Sequence, residues 1–230
     1  MIVIGHRGMR FVEPENTLRA IERALKCGVD AVEVDVRMTR DGRLVLMHDE
    51  TVDRTTNGKG RVRDLTFNEV RRLDAGKGER VPTLEEALEA VKGRAKLVIE
   101  IKEDDIVKRV VEAVDSHEMW REVILISFHH PAVLQVKQLR PEAETGVIFV
   151  CEPVEPQELA LRARAEWIAP GLTYTTERLV LRAHERGIRV NTWVVNTKEE
   201  LVRARSLGVD AVTTDRPDIM VSLAKSDMLI

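Results

Sequence analysis

Glu33 and Asp35 lie two residues apart in an apolar segment that begins Ala31-Val32, and Glu100 and Lys102 lie two apart at the end of Leu97-Val98-Ile99. His6 and Arg7 follow Ile2-Val3-Ile4 within Gly5-His6-Arg7-Gly8. Side chains alternate faces along a strand, so each spaced pair points one way. Paired carboxylates on a buried strand are costly unless something neutralises them, and a divalent cation would do so. Glu33, Asp35 and Glu100 form an oxygen-rich set that suits Mg2+ or Ca2+, whereas zinc recruits nitrogen or sulfur as its main donors. His6 and His48 are then free to act as general acid and base, a role that contributes about 10²–10⁴-fold in rate. Arg7 and Lys102 would hold an anionic group, arginine being suited to forked contacts with phosphate oxygens. A metal, two histidines and two cations point to hydrolysis of a phosphate ester.

Such residues need a scaffold that brings separate strand ends together. Short apolar runs rich in Val, Ile and Leu predict strands at 1–5, 29–36, 96–101, 123–127, 144–149, 166–169, 188–193 and 209–213. Continuous apolar runs of this kind suit parallel strands buried on both faces. Amphipathic stretches at 16–27, 83–92, 104–118, 131–139, 156–165, 176–186, 197–206 and 216–224 predict the intervening helices. Thr83 with Glu86 reads as a capping box, and a second cap is expected at 196–197. Gly28, Gly187 and Gly208 fall where helix C-termini favour glycine. Eight strand–helix units argue for a (β/α)8 TIM barrel, an α/β fold. An open doubly wound sheet is the structural runner-up, although no glycine-rich phosphate turn is present. Residues 43–48 form an extra strand behind the Asp41-Gly42 turn, and 49–81 form a polar insertion too long to be without a role. The expected organisation is one barrel domain over 1–230, with a small insertion subdomain at 49–81 covering the mouth. Barrel enzymes carry their catalytic groups at the C-terminal strand ends. There the ionisable residues concentrate on the first three strands.

The chain has 230 residues and a net charge of −3, which argues against a nucleic-acid protein. Charged residues make up 33% of it, above the roughly 25% of an average domain. Asn and Gln are sparse, a composition of the kind found in thermophile proteins. Cys27 and Cys151 show no metal or redox spacing and read as reduced thiols. No apolar run approaches the ~20 residues that span a bilayer, and the chain opens on a strand pattern rather than an apolar leader. These features predict a cytoplasmic protein with no membrane span.

The ordered motifs resemble those of the glycerophosphodiester phosphodiesterases. Gly5-His6-Arg7-Gly8 and Pro14-Glu15-Asn16-Thr17 are followed by Glu33-Val34-Asp35, Thr39-Arg40-Asp41-Gly42, His48-Asp49 and Asp53-Arg54-Thr55-Thr56. Glu100-Ile101-Lys102, Trp193 with Asn196, and Thr214-Asp215-Arg216-Pro217 complete the series. The resemblance covers nearly the whole chain. It implies a (β/α)8 barrel with an insertion after the second strand. It also implies hydrolysis of deacylated phospholipids to sn-glycerol 3-phosphate and an alcohol, within lipid and glycerol metabolism. In those terms His6 and His48 match the acid–base pair, and Glu33, Asp35 and Glu100 match the ligands of a divalent cation, Mg2+ first, with Mn2+ or Ca2+ as alternatives. Arg7 and Lys102 match phosphate-side cations, and Trp193 an aromatic wall near the glycerol.

Several residues also have plainer readings. Lys102 could simply balance Glu100, and Trp193 could be core. Asn16 reads as a helix N-cap, and Asp215 as a cap on the last helix ahead of Pro217. His129 and His130 read as turn residues, His117 and His184 as surface. The nucleophile is water or the glycerol 2-hydroxyl. The rivals are a lysophospholipase D-type enzyme on the same fold, a catalytically silent barrel, and a sugar-phosphate isomerase or aldolase. The polar insertion, the complete set of acid, base and ligand candidates, and phosphate-directed charges on the first three strands count against them in turn.

Overall fold

The computed structural model describes residues 1–226; the end of the expected domain, 227–230, lies outside the described residues. The strands are β1 (Ile2–Gly5), β2 (Ala31–Met38), β3 (Leu44–Leu46), β4 (Lys96–Ile101), β5 (Val123–Ser127), β6 (Glu144–Phe149), β7 (Trp167–Pro170), β8 (Arg189–Trp193) and β9 (Ala211–Thr214). The helices are α1 (Leu18–Cys27), α2 (Phe67–Arg71), α3 (Leu84–Val91), α4 (Val107–His117), α5 (His130–Leu139), α6 (Pro156–Ala163), α7 (Glu177–His184), α8 (Lys198–Ser206) and α9 (Pro217–Lys225). The sheet runs β1-β9-β8-β7-β6-β5-β4-β2, and β1 pairs back with β2, so it closes on itself with every barrel pairing parallel. It is a (β/α)8 TIM barrel. Among the described residues only β3 stands outside the ring, antiparallel to the upper end of β2. The expected extra strand at 43–48 is shorter than its apolar run, because the chain turns away after Leu46 and frees His48 from the ladder.

The alternation along each strand sorts its residues between two cores. Val32, Val34 and Val36 of β2 face the helices, as do Leu97, Ile99 and Ile101 of β4. Ala31, Val98, Ile4, Ile124, Ile126, Ile148 and Trp167 face inward and fill the lower barrel. Burying each large aliphatic side chain contributes about 1.5–3 kcal/mol. Continuing the inward series by twos reaches Glu33 and Asp35 on β2, Glu100 and Lys102 on β4, and His6 after β1. The register sets Asp35 beside Glu100 and Ile4 beside Ala31. One period thus makes the floor apolar and the mouth ionisable. Gly146 makes room in this layer for Trp167, whose Cβ lies 2.9 Å from where a side chain on Gly146 would begin. Below, a cavity of about 220 Å³ opens among Ile2, Ile4, Val98, Ile124 and Trp167.

The helices begin where side chains can satisfy their free N–H groups. Thr83 and Thr197 close full capping boxes with Glu86 and Glu200, and Gly28 ends α1 in the left-handed region. Asn16 is a correction: Thr17 is the cap of α1, accepting from Ala20 N, and Asn16 precedes it with a positive φ of 56°. Asp215 is another. Arg216 holds the cap position of α9 without a side-chain cap, Thr214 Oγ1 accepts from Arg216 N, and Asp215 turns to the mouth. Within 49–81, Val52, Val62, Val70, Ala75 and Val81 pack with Val45 and Met47 into a small core of their own. Both cysteines are free. Among the described residues no helix is long and apolar enough to cross a membrane.

Gly8 follows Arg7 at a φ of +80°, and a Cβ there would meet the backbone of Ala20 and Ile21 at 2.5–2.7 Å. Gly8→Ala should therefore lower the unfolding free energy by about 2–3 kcal/mol through overpacking and a left-handed alanine. Denaturant unfolding of the two proteins checks this.

Candidate active site

Three carboxylates meet at the mouth. Glu33, Asp35 and Glu100 each offer an oxygen within 4.8 Å of the others, and all three are buried. Asp35 is 1% exposed, so its charge must be answered by protein groups. Asn16 answers it twice: Asn16 Nδ2 donates to Asp35 Oδ2 at 2.8 Å, and Asn16 Oδ1 accepts from Asp35 N at 3.1 Å. Lys102 Nζ lies 2.5 Å from Glu100 Oε1 and 3.3 Å from Asp35 Oδ1. Arg7 N donates to Glu33 Oε2 at 2.8 Å, and its Nη1 donates to Glu15 at 2.8 Å. Arg7 Nε is 3.1 Å from Asp35 Oδ2 but is not aligned for a hydrogen bond, and it stays a buried donor without an acceptor.

This balance divides the cluster. Burial pushes the Glu33 carboxyl well above the usual range, reinforced by the charges of Asp35 and Glu100. Glu100 is raised to about 7, by burial first and then by Asp35. Burial acts on Asp35 as well, but Lys102 and Arg7 outweigh it and hold that carboxyl below its ordinary value. Three inward oxygens and a shortage of nearby positive charge are what a hard divalent cation relieves. The donor set therefore fits such an ion.

The two histidines are held alike. His6 Nδ1 is 2.6 Å from Asp215 Oδ1, and His48 Nδ1 is 2.7 Å from Asp49 Oδ1. In each ring Nε2 is left as the nitrogen for other partners. Burial lowers the pKa of both imidazoles; for His6 the hydrogen bond to Asp215 works against it, for His48 the charge of Asp35. Asp215 is fixed from behind by Asn196, whose Nδ2 donates to Asp215 Oδ2 at 3.1 Å. Asp49 is gripped by Arg54 through Nε at 2.7 Å and Nη2 at 3.0 Å, and Arg54 also donates to Glu15 at 2.8 and 3.0 Å. His48, Asp49, Arg54, Glu15 and Arg7 thus form one chain of contacts from the insertion to β1.

His6, Arg7, Glu33, His48, Glu100 and Trp193 line one cavity of about 130 Å³, together with Phe128 and Asn191. Trp193 Nε1 donates to Ala169 O at 2.9 Å, and its ring meets Phe128 edge-on at 5.8 Å between centroids. Lys102 completes the group through Glu100 and Asp35, so the structure brings together every residue singled out for the site. Sequence reasoning placed Glu15, Asp49 and Arg54 in the ordered motifs without giving them a role, and it gave Asn16 and Asp215 to helix capping. Two signals were available: Asp49 adjoins His48, and Asp215 ends an inward-facing series that runs Ala211, Thr213, Asp215. Arg54 and Glu15 meet across 39 residues, a contact without a local signature. His130 and His117 bond to backbone carbonyls, His184 and His129 to exposed aspartates.

Residues 6–219 match the model of the glycerophosphoryl diester phosphodiesterase family. The chain belongs to that family. A glycerophosphodiester phosphodiesterase of Caldanaerobacter subterraneus subsp. tengcongensis is 38% identical over 237 residues, spanning 97% of this chain and 98% of that protein. An Oleispira antarctica phosphodiesterase, solved in complex with the product sn-glycerol-3-phosphate, superposes with a TM-score of 0.90 at 27% identity, over 98% of this chain and 97% of that one. A Silicibacter pomeroyi putative glycerophosphoryl diester phosphodiesterase superposes with a TM-score of 0.91, also at 27% identity, over 97% and 92% of the two chains. For this family member the acidic cluster is where a divalent cation could be held.

The raised carboxyls predict a linkage between pH and the cation. Glu100 folds with its pKa near 7 against about 4.5 unfolded. Its contribution to stability is therefore greatest below the unfolded value and is lost as pH rises toward 7. The cation-free protein should lose stability between about pH 4.5 and 7, and the rise in melting temperature on adding Mg2+, Mn2+ or Ca2+ should grow over the same window. Glu100→Gln should flatten both trends in thermal denaturation across that range.

Proposed function

We propose that this chain is a divalent-cation-dependent phosphodiesterase that cleaves glycerophosphodiesters to sn-glycerol 3-phosphate and an alcohol. The observation that carries the reading is the meeting of three buried carboxylates with two histidines, each held by an aspartate, around one small cavity. Glu33, Asp35 and Glu100 would hold the cation, Mg2+ by preference and Mn2+ or Ca2+ otherwise. When bound, the ion supplies Lewis-acid polarisation of the phosphoryl oxygens and charge stabilisation.

The chain's own groups do the rest. Arg7 has a buried donor to spare and turns toward a phosphoryl oxygen, and Lys102 exchanges part of its contact with Glu100 for the same anion. Trp193 and Phe128 form the apolar wall against the glycerol carbons. One histidine takes the proton of the attacking hydroxyl through Nε2, and the other returns a proton to the departing alkoxide. Asp215 and Asp49 fix the tautomers for this exchange and stabilise each imidazolium as it forms. The pair serves attack by water or by the glycerol 2-hydroxyl alike. Burial favours the neutral form of both rings, so one is a ready base at pH 7. The other acts as the acid only once it has taken up a proton and is held as imidazolium by its aspartate. The proton gained by the base and the one lost by the acid are exchanged with water between turnovers. The chain works as a single barrel domain, with residues 49–81 as the outer wall of its mouth.

Purified protein should release glycerol 3-phosphate from glycerophosphocholine or glycerophosphoethanolamine, cease with EDTA, and recover when Mg2+, Mn2+ or Ca2+ is restored. Absence of release with every cation, from folded protein, would overturn the reading and turn attention to lysophospholipids.

His6→Ala and His48→Ala should each lower kcat by at least ~10² while leaving the circular dichroism spectrum unchanged. Near-normal turnover in either variant would sink the acid–base assignment.

A further inference from the structure

The carboxylate cluster sits between two cavities of unequal size. The smaller one, about 130 Å³, is lined by both histidines and Trp193. The other, about 580 Å³, opens outward between the insertion, the segment after β4 and the end of β5. They share Glu100 and Phe128. A phosphodiester has two ester arms, and a phosphorus beside Glu100 sends one arm into each space. The glycerol arm is the same in every glycerophosphodiester and suits the smaller cavity with its apolar Trp193 wall. The arm that varies among substrates suits the open cleft.

The chemistry of the cleft narrows what that arm can be. Apart from Phe128 and His129, every residue lining it is an acid or a base, a poor match for an acyl chain. Its arginines are all engaged: Arg61 with Glu50 at 2.7 Å, Arg63 with Asp105 at 2.9 Å, Arg37 with Glu103 at 2.7 Å. One carboxylate is left over. Among the described residues no lysine or arginine lies within ion-pair distance of Asp104, whose side chain meets His129 Nδ1 at 3.2 Å with both side chains 54% exposed. Phe128, next in sequence to His129, is 40% exposed, and its ring already has Lys102 Nζ 6.0 Å from its centroid, the attraction of an aromatic face for cations.

We infer that the open cleft receives the leaving alcohol, and that Asp104 with Phe128 selects an alcohol bearing an ammonium or quaternary ammonium group. The inference rests on the proposed phosphodiesterase activity and assigns its second substrate arm. Asp104 acts on binding, through the charge of the leaving group, and takes no part in proton transfer.

The test compares kcat/KM on glycerophosphoethanolamine and glycerophosphocholine with that on glycerophosphoglycerol, whose leaving alcohol is a neutral polyol of similar size. The wild-type enzyme with its activating cation should prefer the two ammonium substrates. Asp104→Asn should lower the ratio of ammonium to polyol kcat/KM about three- to tenfold, chiefly through KM, the scale of one partly exposed ion pair. Asp104→Glu should restore most of it. A ratio unmoved by Asp104→Asn, or a wild-type preference for the polyol, would overturn the assignment. Hydrolysis of none of the three by wild type would overturn the activity beneath it, and the assignment with it.

Discussion

Three carboxylates confined to the wall of a barrel repel one another and have lost their water, and most of what surrounds them is a response to that. Lys102 and Arg7 come from adjoining strand ends to oppose the charge, Asn16 is bent into a left-handed conformation to bond Asp35 on two sides, and Glu33 takes a backbone N–H. The compensation is incomplete. Glu33 and Glu100 remain far from the ordinary behaviour of a carboxyl, so the site carries an electrostatic deficit that the protein alone does not remove. The fold tolerates this because the same strands are apolar at their other ends and on their helix-facing sides, where packing is dense.

Much of this was legible in the sequence, for reasons of periodicity. The period of two that made Glu33 and Asp35 share a face also placed Ala31 beneath them. The eight apolar runs alternating with amphipathic ones left little room for another topology. The metal candidates and His6 lie on or just beyond barrel strands, where alternation and fold class together determine direction. What escaped was governed by long-range partners. Asn16 and Asp215 have residue types that suit helix caps and occur where caps are expected, so local propensity and tertiary demand competed, and the tertiary demand prevailed. Arg54 lies in an insertion without periodicity, and its role depends on how that insertion folds back onto Glu15.

That insertion also has a physical connection to the barrel chemistry. Its small core is built on Val45 of β3 and Met47 just after it, and Arg54 joins Asp49 to Glu15 and so to Arg7. His48 is therefore oriented by a unit with packing of its own, while its ring faces a cavity whose other walls are barrel strands. Arg37 strengthens the joint by donating to His48 O from β2 at 2.9 and 3.0 Å.

The seam of the barrel lies between β1 and β9, and His6 stands on it. Its backbone N–H donates to Thr214 O and its ring meets Asp215, a partner 209 residues away. During synthesis the histidine and all three carboxylates leave the ribosome well before that aspartate exists. The ring of His6 gains that partner only when the chain leaving β9 is in place. The orientation of one catalytic candidate at the start of the chain thus depends on the strand that closes the barrel at its other end.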